Sequence, residues 1–519
     1  MTRGTIAAGD VRTAAAGIEM FRLGGNAFDA AAAAVLASFV TESSLTSAAG
    51  GGFLLAHTQE NQNILFDFFS QTPIYKRPTQ EISFYPIDVN FGDAIQEFHI
   101  GMGAIATPGN IGGIFHVQQK LGKLPFHIVT EPAIHYAKYG IEVNKFQTYC
   151  WQILQPILTA TKAARQIYAP KGVLLEVGDK LFMPDFADTL SYLAQQGVRE
   201  FYQGDIGRQL IQDCQTDGGY LTLADLAQYQ VIERQPLTIN YRGNTLLTNP
   251  PPSSGGVLIA FALELLSQFE LNKIGFGTPL HLQILTAVMR LTDRARKEKY
   301  DTNVHQSDID KIFLTTAQVT EYASQLDRYV KNQYASKWGS TTHLSVVDNE
   351  GNAASVTTSN GEGSGYIIPN TGIMLNNMLG EDDLNPHGFH QWRENVRISS
   401  MMSPTIVLKN NRPEIVLGSG GSKRIRTAIL QVISNIIDFQ MPVDLAVNNS
   451  RLHWEDSVLN LEPGWSEEAI ANLISADETS LLWNKQNMFF GGVHTVMEDE
   501  SGGISGAGDK RRNGAIASI

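Results

Sequence analysis

Five consecutive residues, Gly339-Ser340-Thr341-Thr342-His343, set a hydroxyl side chain at the head of a strand-like run. That arrangement can do chemistry if the Ser340–Thr341 peptide bond is cut. Thr341 then carries a free α-amine and a hydroxyl on adjacent carbons. An α-amine has an ordinary pKa of about 7.7–8.0. It can serve as the general base that a threonine hydroxyl needs before it attacks a carbonyl. One residue would supply nucleophile and base, with no His/Asp partners. Taken alone, Thr341-Thr342 is equally the start of an ordinary β-strand, and in isolation that is the simpler reading. A second feature is Gly418-Ser419-Gly420-Gly421-Ser422, which runs into a helical pattern. Backbone N–H groups at such a turn suit an anion. Its spacing fits neither a P-loop nor a dinucleotide fingerprint, and a tight strand-to-helix turn accounts for it as well. HExxH, GxSxG and Cys/His clusters are missing from the sequence, so the expectation is an enzyme without metal or cofactor.

The elements that must position Thr341 can be read around it. Thr342–Asp348 reads as a strand, Asn349-Glu350-Gly351-Asn352 as a turn, and Ala353–Ser359 as the returning strand. Residues 405–409 and 414–417 form a second hairpin around Asn410–Pro413, and the glycine loop feeds an amphipathic helix from Ile425 to Phe439. Pro250–Gly256 caps an apolar helix from Val257 to Phe269, and Thr107–Gly113 opens another helix. Residues 299–340 are polar, with helical periodicity around 317–330 and a looser end at 331–340, which reads as a solvated connection. Strands between helices indicate a layered α/β sandwich.

Composition sets outer bounds. With 43% hydrophobic and 18% charged residues, 519 residues can bury a sizeable core. A net charge of −13 argues against nucleic acid as a main partner, because phosphate binding needs clustered Lys and Arg. Cys150 and Cys214 stand in no metal-ligand or CxxC spacing and read as two buried thiols, a disulfide between them being the alternative. The Ala-rich run 30–40 is too short to span a bilayer and follows a turn and helix cap at 24–29, so it reads as a core helix. With no basic n-region before it, the expectation is a cytoplasmic enzyme with no membrane partner.

Motifs along nearly the whole chain resemble the γ-glutamyltransferase family. They begin at Ala15-Ala16-Gly17 with Gly24-Gly25-Asn26-Ala27-Phe28-Asp29, and continue through Gly50-Gly51-Gly52-Phe53, Thr107-Pro108-Gly109 and Tyr241-Arg242-Gly243. They then run through Pro250–Gly256, Thr341–Asp348, Leu375-Asn376-Asn377, Met402–Val407 and Gly418–Ser422. The resemblance implies a four-layer αββα sandwich of the N-terminal-nucleophile hydrolase type. It implies self-cleavage between Ser340 and Thr341 into a large piece, 1–340, and a small catalytic piece, 341–519, that stay together as a heterodimer. It further implies that Thr341 forms an acyl-enzyme, released by water or an amine. Carried over by position, Gly420 and Gly421 would donate the oxyanion-hole N–H groups and Ser359, eighteen residues after Thr341, would orient the nucleophile. Asn360 would hold a substrate carboxylate, although it stands one residue early. Glu381 and Asp383 both compete for the acidic residue that meets a substrate amine. Ser400 keeps one hydroxyl of a family Ser-Ser pair, the other place being Met401.

One departure concerns specificity. Where the family has an arginine that clamps the α-carboxylate of a γ-glutamyl group, this chain has Phe69. A phenyl ring cannot make a bidentate cationic contact. Arg511, in Gly506-Ala507-Gly508-Asp509-Lys510-Arg511, is the candidate for a replacement cation. The segment between Leu384 and Ile398 is short, which suggests an open site that admits larger acyl groups. The expected activity is cleavage of a γ-glutamyl or related amide bond in a small molecule or peptide, of the glutathione hydrolase type. The alternatives are an amidase on other peptide or N-acyl substrates, and an unprocessed homologue that only binds.

Overall fold

The computed structural model describes residues 3–90, 95–306, 308–326, 339–474, 479–499 and 502–519. Two antiparallel sheets lie face to face. Among the described residues the first has seven strands, in the order Ala515–Ser518, Gly4–Ala8, Thr342–Asp348, Ala353–Ser359, Gly51–His57, Asn63–Phe68 and Ile232–Arg234. The second has six, in the order Ile504–Ala507, Gly492–Glu498, Arg412–Gly420, Thr405–Lys409, Asn244–Thr248 and Leu237–Tyr241. Successive side chains of a strand point to opposite faces. Ala7, Phe53, Leu55 and Val347 accordingly join Leu247, Ile406 and Val416 in the core between the sheets. Their neighbours Ile6, Ala8, Leu54, Ala56, Leu344 and Val346 face outward into a second core with the helices Val11–Arg22 and Ala27–Thr41. On the far side, the helices Gly255–Leu266 and Arg424–Ile437 cover the six-stranded sheet. The order helix, sheet, sheet, helix is the expected αββα sandwich.

The predicted elements fall close to the observed ones. The alanine-rich helix spans Ala27–Thr41 with every residue buried, capped by Asn26 in a reciprocal box with Asp29. The two strands around residue 350 pair with Leu344 opposite Val356 and His343 opposite Thr357. The second hairpin pairs Thr405 with Leu417, and its returning strand, Arg412–Gly420, runs on into the glycine loop. Cys150 and Cys214 are buried and unpaired, so the disulfide alternative fails. The polar stretch after residue 299 is not simply solvated. Its helices Ile309–Phe313 and Thr316–Ala323 bury Phe313 and Tyr322 against Phe261, at ring distances of 5.0 and 5.6 Å. The looser end predicted at 331–340 lies mostly outside the described residues.

Two topological facts bear on the site. Strands from before and after residue 340 interleave in the first sheet, where Thr342–Asp348 is hydrogen-bonded to Gly4–Ala8, and meet once in the second, where Thr405–Lys409 pairs with Asn244–Thr248. Gly4 and Ile519 also exchange both main-chain hydrogen bonds, at 3.2 and 3.1 Å. Among the described residues no helix is long and apolar enough to cross a membrane.

Candidate active site

Thr341 immediately precedes a central strand and shares the face of His343 and Val347, which looks toward the second sheet. Its hydroxyl donates to the carbonyl oxygen of Ser340 at 2.7 Å. Ser359, at the end of the neighbouring strand, donates its hydroxyl to the same oxygen at 2.7 Å and accepts the N–H of Gly361 at 3.0 Å. Two hydroxyls thus converge on the carbonyl that precedes Thr341. Ser340 is gripped from its other side by Glu362. One carboxylate oxygen accepts the Ser340 N–H at 2.8 Å and the other accepts the Ser340 hydroxyl. Arg512 spans the segment with its fork, one nitrogen donating to the carbonyl of Thr341 at 3.1 Å and the other to that of Gly339 at 3.2 Å.

Gly420 explains why the loop must be glycine at this point. A Cβ there would stand 2.1 Å from the Thr341 carbonyl oxygen, so any side chain would push the strand away. Gly421 follows with φ of 124° and lies against Gly491 and Arg512. Gly361 is constrained in a similar way. Its φ is 60°, and a Cβ would meet the Asn377 side-chain oxygen at 2.2 Å. That oxygen accepts the N–H groups of Glu362 and Gly363, at 2.8 and 3.2 Å, and so fixes the turn that presents Glu362.

A small cavity of about 50 Å³ adjoins Thr341. Glu362, Glu381, Asp383, Ser359 and Ser400 contribute polar groups, and Phe69, Met378 and Met401 contribute apolar ones. Ser340 and Thr341 are themselves buried in the continuous chain, beside a cavity that is small where the short 384–398 segment suggested an open site. That segment instead helps to line a separate cavity of about 290 Å³ with Trp392, His305 and His387.

Electrostatics divide the carboxyl groups. Burial, together with the neighbouring Glu362 and Asp383, pushes the Glu381 carboxyl well up. Burial also raises Glu362, opposed by the Ser340 donors and by Arg512 and Arg424. Asp383 pairs with Lys423 at 3.4 Å and accepts the Ser422 hydroxyl. Beside Thr341, Glu42 accepts the Thr342 hydroxyl and, at 2.9 Å, that of Thr13, and burial pushes it up to about 7. His343 is buried with both ring nitrogens engaged, by Thr357 at 2.8 Å and Ser345 at 2.9 Å. Burial holds it well below its ordinary pKa, so it is a neutral packing residue and not the base.

The structure brings Thr341, Ser340, Ser359, Gly420, Glu381, Asp383 and Ser400 to one place. Asn360 points elsewhere, donating to the Leu375 carbonyl at 3.3 Å. Arg511 is corrected. Its guanidinium is fully buried between Glu462 and Asp509 and donates to the Asn449 carbonyl, so it has nothing left for a substrate. The next residue, Arg512, is the arginine that reaches Thr341. Asp509 caps the short turn that separates them, sending the two side chains to different neighbours. Phe69 stacks on Phe53 at 5.3 Å and presents an apolar wall. Arg397 meets only its main-chain carbonyl, with its own charge paired to Asp67 at 3.2 Å. Glu362, Arg512 and Glu42 were missed in the sequence. Glu362 had one signal, a carboxylate directly after Asn360-Gly361 in the shortened loop.

Against known proteins, a family model described as Gamma-glutamyltranspeptidase matches residues 13–519. The chain is 32% identical to a glutathione hydrolase proenzyme of Escherichia coli strain K12, over 98% of this chain and 90% of that protein. It is 28% identical to an acylase ACY 1 proenzyme of Pseudomonas sp. strain SE83, over 100% of this chain and 94% of that one. Among solved structures, a cephalosporin acylase from Bacillus halodurans superposes with a TM-score of 0.87 at 24% identity, covering 99% of this chain and 96% of that chain. That likeness speaks for the fold.

Proposed function

The chain belongs to the gamma-glutamyltranspeptidase family, and from that premise we propose that it cuts itself before Thr341 and then hydrolyses or transfers the acyl group of an amide. The observation that carries this reading is the convergence of the Thr341 and Ser359 hydroxyls on the Ser340 carbonyl oxygen, each at 2.7 Å. In self-cleavage Thr341 Oγ1 attacks the Ser340 carbonyl carbon, and its proton passes to the Thr341 nitrogen as the C–N bond breaks. The ester that forms is hydrolysed by water, leaving the Ser340 carboxylate and a free Thr341 amine. Ser359 stabilises the developing oxyanion, while Glu362 and Arg512 hold the segment to either side. The residues 1–340 and 341–519 then form a heterodimer.

In turnover the Thr341 amine takes the hydroxyl proton and returns it to the leaving amine. Gly420 and Gly421 supply the oxyanion donors, a reading supported by the contact of Gly420 with Thr341. Water or an amine releases the acyl group. The substrate is a γ-glutamyl or related amide in a small molecule or peptide. A second reading, an acylase on other N-acyl substrates with little γ-glutamyl activity, is favoured by the apolar wall at Phe69. The relatives' names include both glutathione hydrolases and acylases.

Intact-mass analysis of purified protein tests the first step. Two fragments with a new N-terminus at Thr341 are expected, and a single uncut chain for Thr341→Ala with no amide turnover. A wild-type chain that stays whole and inactive sinks the proposal. Rates on γ-glutamyl and other acyl anilides separate the two substrate readings.

A further inference from the structure

Ser340 does more than precede the cut. Its carbonyl carbon is the first acyl centre that Thr341 meets, and in turnover a substrate carbonyl must reach the same Oγ1. Groups that hold Ser340 around that carbonyl therefore line the acyl site of the cut enzyme. The group that does so is Glu362, which accepts both the N–H on the α-carbon of Ser340 and the hydroxyl on its β-carbon. The Glu362 main chain is fixed by Asn377 and Glu381, at 2.8 and 3.2 Å, so the carboxylate is preorganised. The rest of the cavity is walled by apolar Phe69, Met378 and Met401 and by the polar groups of Glu381, Asp383, Ser359 and Ser400. When Ser340 departs, a buried carboxylate loses two donors at once, and a buried charge without partners is costly. A ligand that restores those donors gains what the empty site lost.

Resting on the self-processing reading, we propose that Glu362 determines acyl specificity. It selects amides whose acyl part carries an N–H or O–H donor on the carbon next to the scissile carbonyl, or one carbon beyond. A γ-glutamyl group places its amine on the third carbon from that carbonyl, out of register with the Ser340 pattern. The acyl group that fits is a short 2-amido or 3-hydroxy acyl unit, as in a seryl peptide.

The test uses processed wild-type enzyme and three p-nitroanilides: N-acetyl-L-seryl, propionyl and γ-L-glutamyl. The seryl compound is expected to exceed the propionyl one in kcat/KM by about tenfold or more, as suits hydrogen bonds to a charged acceptor. The gain should sit mainly in KM. In cut Glu362→Gln, normalised to Thr341 N-termini, the seryl advantage should shrink severalfold. A wild-type enzyme indifferent to the seryl donors, or a Gln variant that keeps the full preference, overturns the proposal. The wild-type comparison decides alone if the variant does not cut itself. Failure of the wild type to cleave itself or any anilide would strike instead at the reading on which this one rests.

Discussion

Ser359 has one hydroxyl and two duties, donating to the Ser340 carbonyl and accepting from Gly361. Removing an oxyanion donor from a preorganised site costs about 2.7–4 kcal/mol, or roughly 10²–10³ in rate. Ser359→Ala should slow the appearance of the Thr341 N-terminus by that order, read from a gel time course, while the precursor stays folded. Glu42 adds a pH dependence. Its native pKa of about 7 lies above the ordinary carboxyl value, so the folded state keeps a proton that the unfolded chain has lost. The contribution of this group to stability should therefore fall by roughly 3 kcal/mol as pH rises from about 4.5 to about 7, and change little outside that window. Glu42→Gln should remove that part of the slope, measured as urea midpoints at pH 4.5 and 7.5 beside the wild type. Thr341 could be singled out because it stands in a long contiguous motif. Glu42 could not, because it meets Thr342 from 300 residues away and only the packing of helix on sheet joins them.

At the scale of elements, the turn after Ser359 carries the site. Gly361 takes a positive φ there and lies where any Cβ would collide with Asn377. Gly361→Ala combines backbone strain with that clash, and each strained residue costs of order 1–3 kcal/mol. A lowered melting temperature and slower self-cleavage are expected together, whereas alanine at half-buried Gly351, which shares the positive φ but has nothing within 4 Å of the new Cβ, should leave cleavage intact. Strands and helices around this turn were readable from period and punctuation, as in 342–348 and 353–359. The placements of Asn360 and Glu362 were not, because a small shift in a short loop changes which side chain faces Ser340 and Thr341. Arg511 and Arg512 illustrate the same limit. Adjacent residues in a tight turn diverge, and only the partner set, Glu462 and Asp509 for one and the Gly339 and Thr341 carbonyls for the other, distinguishes them.

For the whole molecule, the interleaving of strands from either side of position 340 in the first sheet governs what a cut can do. Thr342–Asp348 is paired with Gly4–Ala8 and Ala353–Ser359 with Gly51–His57, so each piece supplies strands that the other needs. Both pieces also contribute to the core between the sheets. The processed protein should elute as one particle in size-exclusion chromatography and unfold in one cooperative transition, with separation only under denaturant. Two independent transitions would contradict a shared core. The layered plan itself was legible early, because alternating apolar faces and Gly-rich turns dictate sheets that must be covered on both sides.

The hydrogen-bonded meeting of Gly4 and Ile519 has a consequence for connectivity. Ends that touch can be tied, and a chain tied there can be opened elsewhere. Opening it between Ser340 and Thr341 turns the order of the gene around while leaving every strand where it is. Residue 341 would then lead the polypeptide from the moment of synthesis, with only an initiator methionine before it, and the nucleophile would need no internal scission to gain its amine. On the proposed function, such a rearranged enzyme uncouples the chemistry of maturation from the chemistry of turnover, two tasks that the proposal assigns to one threonine.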